Sequence, residues 1–540
     1  MTAPAAPTVR AALDELVHQF SDPFAFVREL VQNAIDAGSQ EVDVDVRYTH
    51  EGGDAGVVEV HVDDYGEGMT REIIEKKLTR LFSSSKEGDH TKIGKFGIGF
   101  VSVFALDPEL VVVDTSRAGE SWRVIFRHDR SYELLALAQP VDGTKITLIK
   151  HVAQAELDEI RKGCERSLRH WCRHVHAEIR FAGRSIREDF ALPDAVCQVE
   201  ARDGLAHVVV GHGADLSSFQ GYYNNGLTLF ESRECSASTE ALEGLWFKIS
   251  SPRLEHTLTR DAVIQDESYH RALAQVASIA RGPLARAVFA ALPGATNPLE
   301  REVLCRVACW HARAGALEQP EHAQAELARS PGGSGITIAE LRRRAKRGFV
   351  AYAGARSRLT DALEAEGYAV VEGRRGGARA ELLRAVAPKA EHVEVRDHWC
   401  LPEPVPAGAW PASWPALRDA AALVLAAAGA KLSAVVPARF DYAESAIVDR
   451  VAIAQPEPGT MVGLDDLDRL RAGLFERRNA LVVNLEHPAV KEFLTLAARE
   501  PEIAGYFLAK ALRIGRGLDD ATDTRMLQAV MEHRWPNSNA

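Results

Sequence analysis

An amphipathic helix near the start of the chain, FVRELVQNAIDAG at residues 26–38, constrains what the first domain can fold into. Its apolar side chains follow two adjoining lines at helical spacing, so most of the helix surface has to be buried. On the remaining stripe, Glu29, Asn33 and Asp36 follow one another at i, i+4 and i+7. Solvated helix faces usually mix in lysine and arginine, whereas this stripe holds two carboxylates and an amide. It is either a solvated face or a site that holds a metal–phosphate complex or activates water.

Length, charge and cysteine content narrow the class of protein. A chain of 540 residues is too long for one hydrophobic core and predicts several domains. Its net charge of −12 argues against a dedicated nucleic-acid coat, although a local basic groove stays open. Residues 1–20 contain no signal-peptide core, and no apolar run reaches membrane length. Seven scattered cysteines are typical of reduced thiols, so we expect a cytoplasmic protein with no membrane partner.

Cys305, Cys309 and His311 lie close enough in sequence to suggest a metal site. Cysteines four residues apart in an apolar helix are more often core residues, and no second pair of ligands follows them. The sequence therefore favours a packing role for all three side chains.

The order of the predicted elements indicates the fold class. After the first helix, alternating strands, a helical stretch, more strands, a long helix at 155–175 and a strand pair follow: EVDVDVRY, VVEVHVDDYG, REIIEKKLTRLF, ELVVVDTS, SWRVIFRH, GTKITLIK and AEIRFAGRSI. This order predicts an α+β layer pair over residues 1–150, with helices on one face of a mainly antiparallel sheet. Residues 337–373 predict helix–strand–helix–strand, and the proline-rich residues 401–415 predict a domain boundary.

Four segments of the first domain suit a nucleotide. The first is the helix with its acceptor stripe. In VDDYGEGMT, Asp64 at a strand end can accept a hydrogen bond from an exocyclic amine, and two glycines let a flat base lie against the backbone. In IGKFGIGF, glycines ahead of a helix offer backbone N–H groups to phosphate. GTKITL places Thr144 on a strand. Each segment alone is common, but the four in this order predict a nucleotide site.

This order of segments resembles the ATP-binding domain of the GHKL superfamily, which contains gyrase B-type topoisomerases, ninety-kilodalton heat-shock chaperones, histidine kinases and MutL. The residues of these motifs are most similar to those of the heat-shock chaperones, whereas MutL-type proteins carry Arg-Gly-Glu where this chain has FGIGF. The resemblance continues in SSPRLEHTLTRDAVIQ, where Thr259 and Arg260 replace a Ser-Arg pair of the chaperone middle domain. RRNALVVNLEHPAVKEFLTLAARE resembles the chaperone dimerisation domain.

The resemblance implies an architecture and a function. Residues 1–190 would form a GHKL (Bergerat-type) ATP-binding α/β sandwich with a lid at about 70–100. Residues 191–400 would form an α/β middle domain, and residues 401–540 a small α/β dimerisation domain. The protein would be a stress-response chaperone that binds ATP and Mg²⁺. Hydrolysis would close a homodimeric clamp on unfolded or partly folded client proteins.

The same resemblance implies the site residues. Glu29 would be the general base, Arg260 would reach the γ-phosphate, and Asn33 would bind Mg²⁺. The remaining nucleotide-binding residues would be Asp36, Asp64, Gly68, Met69, Gly94, Gly97, Gly99, Phe100 and Thr144. Lys86 and Lys95 would be solvated lid cations. Arg28 could orient Glu29 or form a surface ion pair.

Two other classes stay open. One is a GHKL clamp acting in a DNA-associated system of repair or defence, and the other is a nucleotide-sensing scaffold without hydrolysis. The acidic charge, the FGIGF lid and the NLEHPAVKEF segment favour the chaperone over the DNA-associated clamp. The presence of Glu29 argues against the scaffold.

Overall fold

The computed structural model describes residues 22–79, 98–203, 206–257, 262–473, 477–513 and 518–535. The chain divides into two compact units, residues 1–284 and 285–540. The domain borders expected after residues 190 and 400 stay predictions.

The first unit contains an eight-stranded, mainly antiparallel sheet. Its strands are β1 Glu41–Gly52, β2 Ala55–Asp64, β3 Leu110–Arg117, β4 Glu120–Arg127, β5 Tyr132–Ala136, β6 Thr144–Ala153, β7 Glu178–Phe181 and β8 Arg184–Ser185. The spatial order is β5-β4-β3-β6-β2-β1-β7-β8, with β1 and β7 paired in parallel. The strand pattern read from the sequence is confirmed except for β5, a mostly exposed edge strand whose weak alternation did not predict it.

Helices cover one face of this sheet. They are α1 Ala25–Asp36, α2 Arg71–Ile73, α3 Ile98–Val101 and α4 Gln154–Cys172, with a π-helical turn at Ile74–Leu78 and a 3₁₀ turn at Ser102–Leu106. The α1 and α4 helices pack closely, because Gly163 of α4 lies where a Cβ atom would collide with the ring of Phe24. On the opposite face, charged pairs such as Arg123 with Asp114 (2.6 Å) meet solvent. The predicted α+β class, with helices on one face, is confirmed.

A second sheet completes the first unit. Its strands are β9 Cys197–Asp203, β10 Ala206–His212, β11 Phe219–Asn224, β12 Leu227–Ser232 and β13 Trp246–Ser250, in the order β12-β11-β13-β10-β9, followed by α5 Glu267–Ile279 and a π-helical turn at Ala280–Leu284. The sheet is joined to the end of α4 by polar contacts. Thr228 donates a hydrogen bond to the carbonyl of His170 (2.7 Å), and the guanidinium of Arg173 pairs with the carboxylate of Glu231.

The second unit consists of small sheets surrounded by helices. Its strands are β14 Glu326–Arg329, β15 Gly335–Thr337, β16 Phe349–Ala353, β17 Ala369–Glu372, β18 Glu391–Glu394, β19 Trp399–Cys400, β20 Glu403–Pro404, β21 Leu432–Arg439, β22 Ala452–Gln455, β23 Val462–Gly463 and β24 Asn479–Asn484. Strands β17-β16-β18 form a parallel sheet, and β20-β21-β24-β22 form a mixed one.

The helices of the second unit are α6 Ala285–Ala291, α7 Pro298–Arg313, α8 Ile338–Arg344, α9 Arg358–Ala365, α10 Gly377–Val386, α11 Val395–His398, α12 Trp414–Ala427, α13 Leu464–Gly473, α14 Pro488–Ala497, α15 Pro501–Arg513 and α16 Asp520–Arg534. The predicted helix–strand–helix–strand pattern of residues 337–373 is confirmed as α8, β16, α9 and β17. No helix in the described part of the chain is long and apolar enough to cross a bilayer.

All seven cysteines are free thiols. Cys305, Cys309 and His311 are buried on α7, with at most a twentieth of their surface exposed. Burial raises the pKa of both thiols to about 11, as expected of cysteines packed in an apolar core.

Candidate active site

Three polar residues form a row across the end of the apolar face of the first sheet. Asp64 on β2 pairs with Thr144 on β6, which in turn pairs with Thr115 on β3. Each strand carries this residue in step with buried apolar ones: Val58, Val60 and Val62 on β2, Ile146 and Leu148 on β6, and Val111 and Val113 on β3. All three polar residues are buried, Asp64 with 9% of its surface exposed. The hydrophobic core therefore ends in a carboxylate and two hydroxyls.

The carboxylate of Asp64 is held by its own backbone surroundings. Its Oδ1 atom accepts hydrogen bonds from the backbone N–H groups of Gly66 (2.9 Å) and Thr144 (3.3 Å). No donor in the described part of the chain reaches Oδ2. Burial raises the pKa of Asp64, and these two hydrogen bonds oppose that rise. A second carboxylate oxygen is thus available to accept a hydrogen bond from a ligand amine, which agrees with the predicted role.

The threonine hydroxyls form hydrogen bonds that connect the loops around the site. Thr115 Oγ1 accepts a hydrogen bond from the backbone N–H of Met69 (2.9 Å) and lies 3.1 Å from Thr144 Oγ1. It also donates to the carbonyl of Gly143 (3.2 Å). Gly68 and Gly143 both have positive φ, and a Cβ atom on either would collide with a neighbouring backbone carbonyl. The site thus depends on two residues that the sequence reasoning missed, Thr115 and Gly143.

A signal for Thr115 was present in the sequence. In LVVVDTS the residue occupies the next inward position after two valines, as Asp64 does on its own strand. Strands β2 and β3 both pair with β6, and only this pairing places Asp64 and Thr115 on either side of Thr144.

The acceptor stripe of α1 lies beside this row. The backbone N–H of Glu67 donates to the carbonyl of Ala37 (2.9 Å), and that of Tyr65 donates to Ser39 Oγ (3.0 Å). These bonds fix the end of α1 to the loop that follows Asp64. Of the stripe, Glu29 is buried, with 6% of its surface exposed.

Asn33 and Asp36 are the exposed members of the stripe. Partial burial raises the pKa of Asp36. The helix thus presents one buried carboxylate and two exposed oxygen-bearing groups toward the same side.

The start of α3 meets Glu29 directly. A Cβ atom added to Gly99 would stand 2.5 Å from Oε2 of Glu29, so only glycine leaves room for the carboxylate. Phe100 follows it and points into the core, with its ring centroid 5.3 Å from that of Phe126. A ligand could therefore meet Phe100 through its backbone. Met69, half-buried, packs against the same core.

Arg28 points away from Glu29's side of the helix. It is 3% exposed, and its Cζ atom lies 4.4 Å from the centre of the Trp171 ring on α4. Burial lowers its pKa to about 10. The burial of Arg28 excludes the surface ion pair. The sequence could not show this burial, because helical periodicity sets the direction of a side chain but not which element covers it.

The predicted finger residue Arg260 lies outside the described residues, as do Gly94, Gly97, Lys86 and Lys95. The chain on either side of Arg260 is described. His256 and Val263 form an antiparallel bridge, and the N–H of Thr257 donates to the carbonyl of Ala262 (2.9 Å). Burial and then the charge of Arg28 lower the pKa of His256.

Residues 22–152 match the family described as histidine kinase-, DNA gyrase B-, and HSP90-like ATPase. This part of the chain is a GHKL-type ATPase domain. The chain is also 31% identical over 187 residues to the chaperone protein HtpG of Methylococcus capsulatus, covering 29% of this chain and 28% of the relative. It is 35% identical over 180 residues to HtpG of Anaplasma phagocytophilum, covering 28% of each.

A longer match, 28% identical over 241 residues, joins the chain to HtpG of a Wolbachia species from Brugia malayi and covers 37% of each. The chain thus spans between about a quarter and two fifths of these relatives' length, and an HtpG-like ATPase domain is confirmed.

We expect Asp64→Asn to weaken ATP binding without unfolding the site. The amide oxygen can keep both internal hydrogen bonds, while the amide nitrogen places a donor where adenine also presents one. Loss of a charged hydrogen bond costs about 1.5–3 kcal/mol, or roughly ten- to a hundredfold in affinity. Calorimetry measures it. Asp63→Asn, on the other face of the same strand, should leave affinity unchanged; equal losses in both variants would contradict the role of Asp64.

Gly99→Ala should slow ATP hydrolysis while ATP binding and the fold survive. The added methyl group meets the mobile end of the Glu29 side chain, so the carboxylate shifts while the backbone stays. A misplaced catalytic group can cost about 10²-fold. Steady-state turnover measures the effect, and Gly408→Ala is the control because its methyl group would meet nothing within 4 Å. Turnover equal to that of the control would show that Glu29's position is not critical.

Proposed function

We propose that this protein is an ATP-dependent chaperone of the HtpG kind. It would bind and hydrolyse ATP and use that cycle to close a dimeric clamp on unfolded or partly folded proteins. The observation that supports this most is the meeting of the buried Asp64 row with the Glu29 stripe inside an HSP90-like ATPase domain. The matching relatives carry the name of a chaperone.

The side chains present suit a magnesium–nucleotide complex. Asp64 Oδ2 offers an acceptor to the adenine amine, with Thr144 and Met69 beside it. Asn33 offers a hard oxygen ligand for Mg²⁺, and Asp36 supports it from one turn further along α1. The backbones of Gly94, Gly97, Gly99 and Phe100 would serve the phosphates. Bound Mg²⁺ would neutralise charge on the phosphate oxygens.

Glu29 is the group we assign to the chemical step. It lies one turn before Asn33, and its burial keeps bulk water from competing for the carboxylate. There it would take a proton from the attacking water, while Arg260 would stabilise charge on the γ-phosphate.

Glu29→Gln tests this assignment. The amide has the same shape, so the packing against Gly99 and ATP affinity should persist, while turnover should fall by roughly 10²–10⁴ because the base is lost. Glu67→Gln removes the same charge from an exposed side chain nearby and should change turnover by less than about twofold. Paired calorimetry and phosphate-release assays separate binding from chemistry. If Glu29→Gln turns over within about threefold of the unchanged protein, Glu29 is not the base.

An exposed apolar stripe supports dimerisation through the end of the chain. On α16, Leu527 and Met531 are four residues apart and are 50% and 47% exposed, and Trp535 directly after the helix is 48% exposed. Phe507 on the adjoining α15 is 45% exposed. Large side chains clustered in this way mark an interaction surface. We propose that the same helices of a second copy cover them around a two-fold axis.

The double variant Leu527→Glu/Met531→Glu should convert the dimer to a monomer, because two carboxylates would be buried at the interface. Light scattering at micromolar concentration measures the mass. Leu299→Glu, which alters a 77% exposed leucine of α7, should remain dimeric. An unchanged protein that is already monomeric would contradict the proposal.

The DNA-associated clamp is not favoured, because the chain is acidic and its matching relatives are named as chaperones. The cytoplasmic location stays a prediction from the cysteine pattern.

A further inference from the structure

A cavity in the second unit is lined by residues that have no role in the proposals above. Its volume is about 470 Å³, and it opens between the end of α10 and strand β18. Its walls are Arg375, Arg384, Ala387, Pro388, Ala390 and His392. Two guanidinium groups and a histidine thus face one space together with three small apolar side chains.

His392 adds an imidazole ring to the wall of this cavity. The side chain is 8% exposed, and its Nδ1 atom lies 2.8 Å from the hydroxyl of Tyr352. Burial raises the pKa of Tyr352 to about 12, so the phenol keeps its proton, and we assign that proton to the bond with Nδ1. Nε2 then carries an N–H group.

That N–H group makes no hydrogen bond of acceptable geometry within the described part of the chain. Burial lowers the pKa of His392, the backbone of Ala387 opposes this, and the charge of Arg384 lowers it further, so the ring stays neutral. Nε2 has almost no exposed surface, so the neutral ring forms part of the cavity wall and its N–H group does not face a ligand there.

The two arginines have donors to spare. Arg375 uses Nη1 to donate to the carbonyl of His392 (3.2 Å), which holds its guanidinium at the cavity wall. Arg384 makes no hydrogen bond or ion pair in the part of the chain that the structure describes. A guanidinium carries five N–H donors, so most of the donors of both side chains stay available.

The charge around the cavity is positive on balance. Arg379 also lies close enough to act on Tyr352, together with Arg375 and Arg384. Glu394 is a carboxylate that acts on Tyr352, and its Oε1 atom accepts a hydrogen bond from the backbone N–H of Arg375 (2.6 Å). The C-terminus of α10 adds roughly half a negative charge. Three guanidinium charges exceed these negative contributions.

We propose that this cavity binds the phosphate group of a small organic phosphate monoester. Arginine forks match the spacing of phosphate oxygens, and Arg375 and Arg384 both line the cavity. The volume falls within the range of small-molecule sites, about 300–1,000 Å³. It is larger than phosphate alone requires, and Ala387, Pro388 and Ala390 offer an apolar wall to the rest of the molecule.

Calorimetry on the full-length protein tests the proposal, with glycerol 3-phosphate and inorganic phosphate as probes at constant ionic strength. Glycerol 3-phosphate should bind saturably with a dissociation constant of about 1 mM or below. Inorganic phosphate should bind more weakly, and glycerol should not bind. Asp64→Asn, which should weaken the nucleotide site, should leave the binding of glycerol 3-phosphate intact, because the ATPase domain is a different site. Absence of saturable binding, loss of binding in Asp64→Asn, or equal affinity for the carboxylate lactate would overturn the proposal.

Arg375→Gln and Arg384→Gln should each weaken binding of glycerol 3-phosphate by about tenfold or more. Both side chains are exposed, so the variants should fold, which circular dichroism can check. Arg374→Gln is the matched control, since it removes the same charge one residue away and outside the cavity wall. If it weakens binding as much as Arg384→Gln, general surface charge explains the affinity and the site is refuted.

Discussion

The buried carboxylate of Asp64 is the constraint on which the ATPase domain depends. A carboxylate taken out of water is costly unless hydrogen bonds compensate it. Here the compensation comes from two backbone N–H groups that converge on one oxygen, one from the following loop and one from strand β6. To supply them, the loop has to turn sharply through glycines and the two strands have to hold their register. The other oxygen stays available, so the same arrangement that stabilises the fold also prepares a binding site.

Helix α1 likewise contributes both to the hydrophobic core and to the candidate site. One side of the helix fills the core with Phe26, Leu30 and their neighbours, and another carries Glu29 against Gly99. Because Gly99 at the start of α3 approaches Glu29 so closely, the position of the carboxylate depends on the position of α3.

The second sheet of the first unit is attached through polar groups more than through a shared apolar core. Arg173 at the end of α4 pairs with Glu231, and the hydroxyl of Tyr223, fully buried, donates to the same carboxylate. Breaking a buried pair of this kind leaves an uncompensated charge and is strongly unfavourable. The attachment therefore favours one arrangement of this sheet on α4.

The sequence by itself determined the local structure and the identity of most candidate site residues. Alternation predicted β1 to β4 and β6, helical spacing predicted the stripe of Glu29, Asn33 and Asp36, and the order of motifs indicated the ATPase domain. Strand β5 was not predicted from the sequence, because a mostly exposed edge strand need not alternate apolar and polar residues.

Only the tertiary structure decided which neighbours complete each group. Thr115 joins Asp64 across a separation of 51 residues, from 64 to 115, through strand pairing. Arg28 is buried because α4 brings Trp171 over it. Arg375, Arg384 and His392 share a cavity because α10 packs beside β18. Periodicity along a chain records which way a side chain points, but the groups that surround it come from distant segments, and their approach is set by packing and hydrogen bonding in three dimensions.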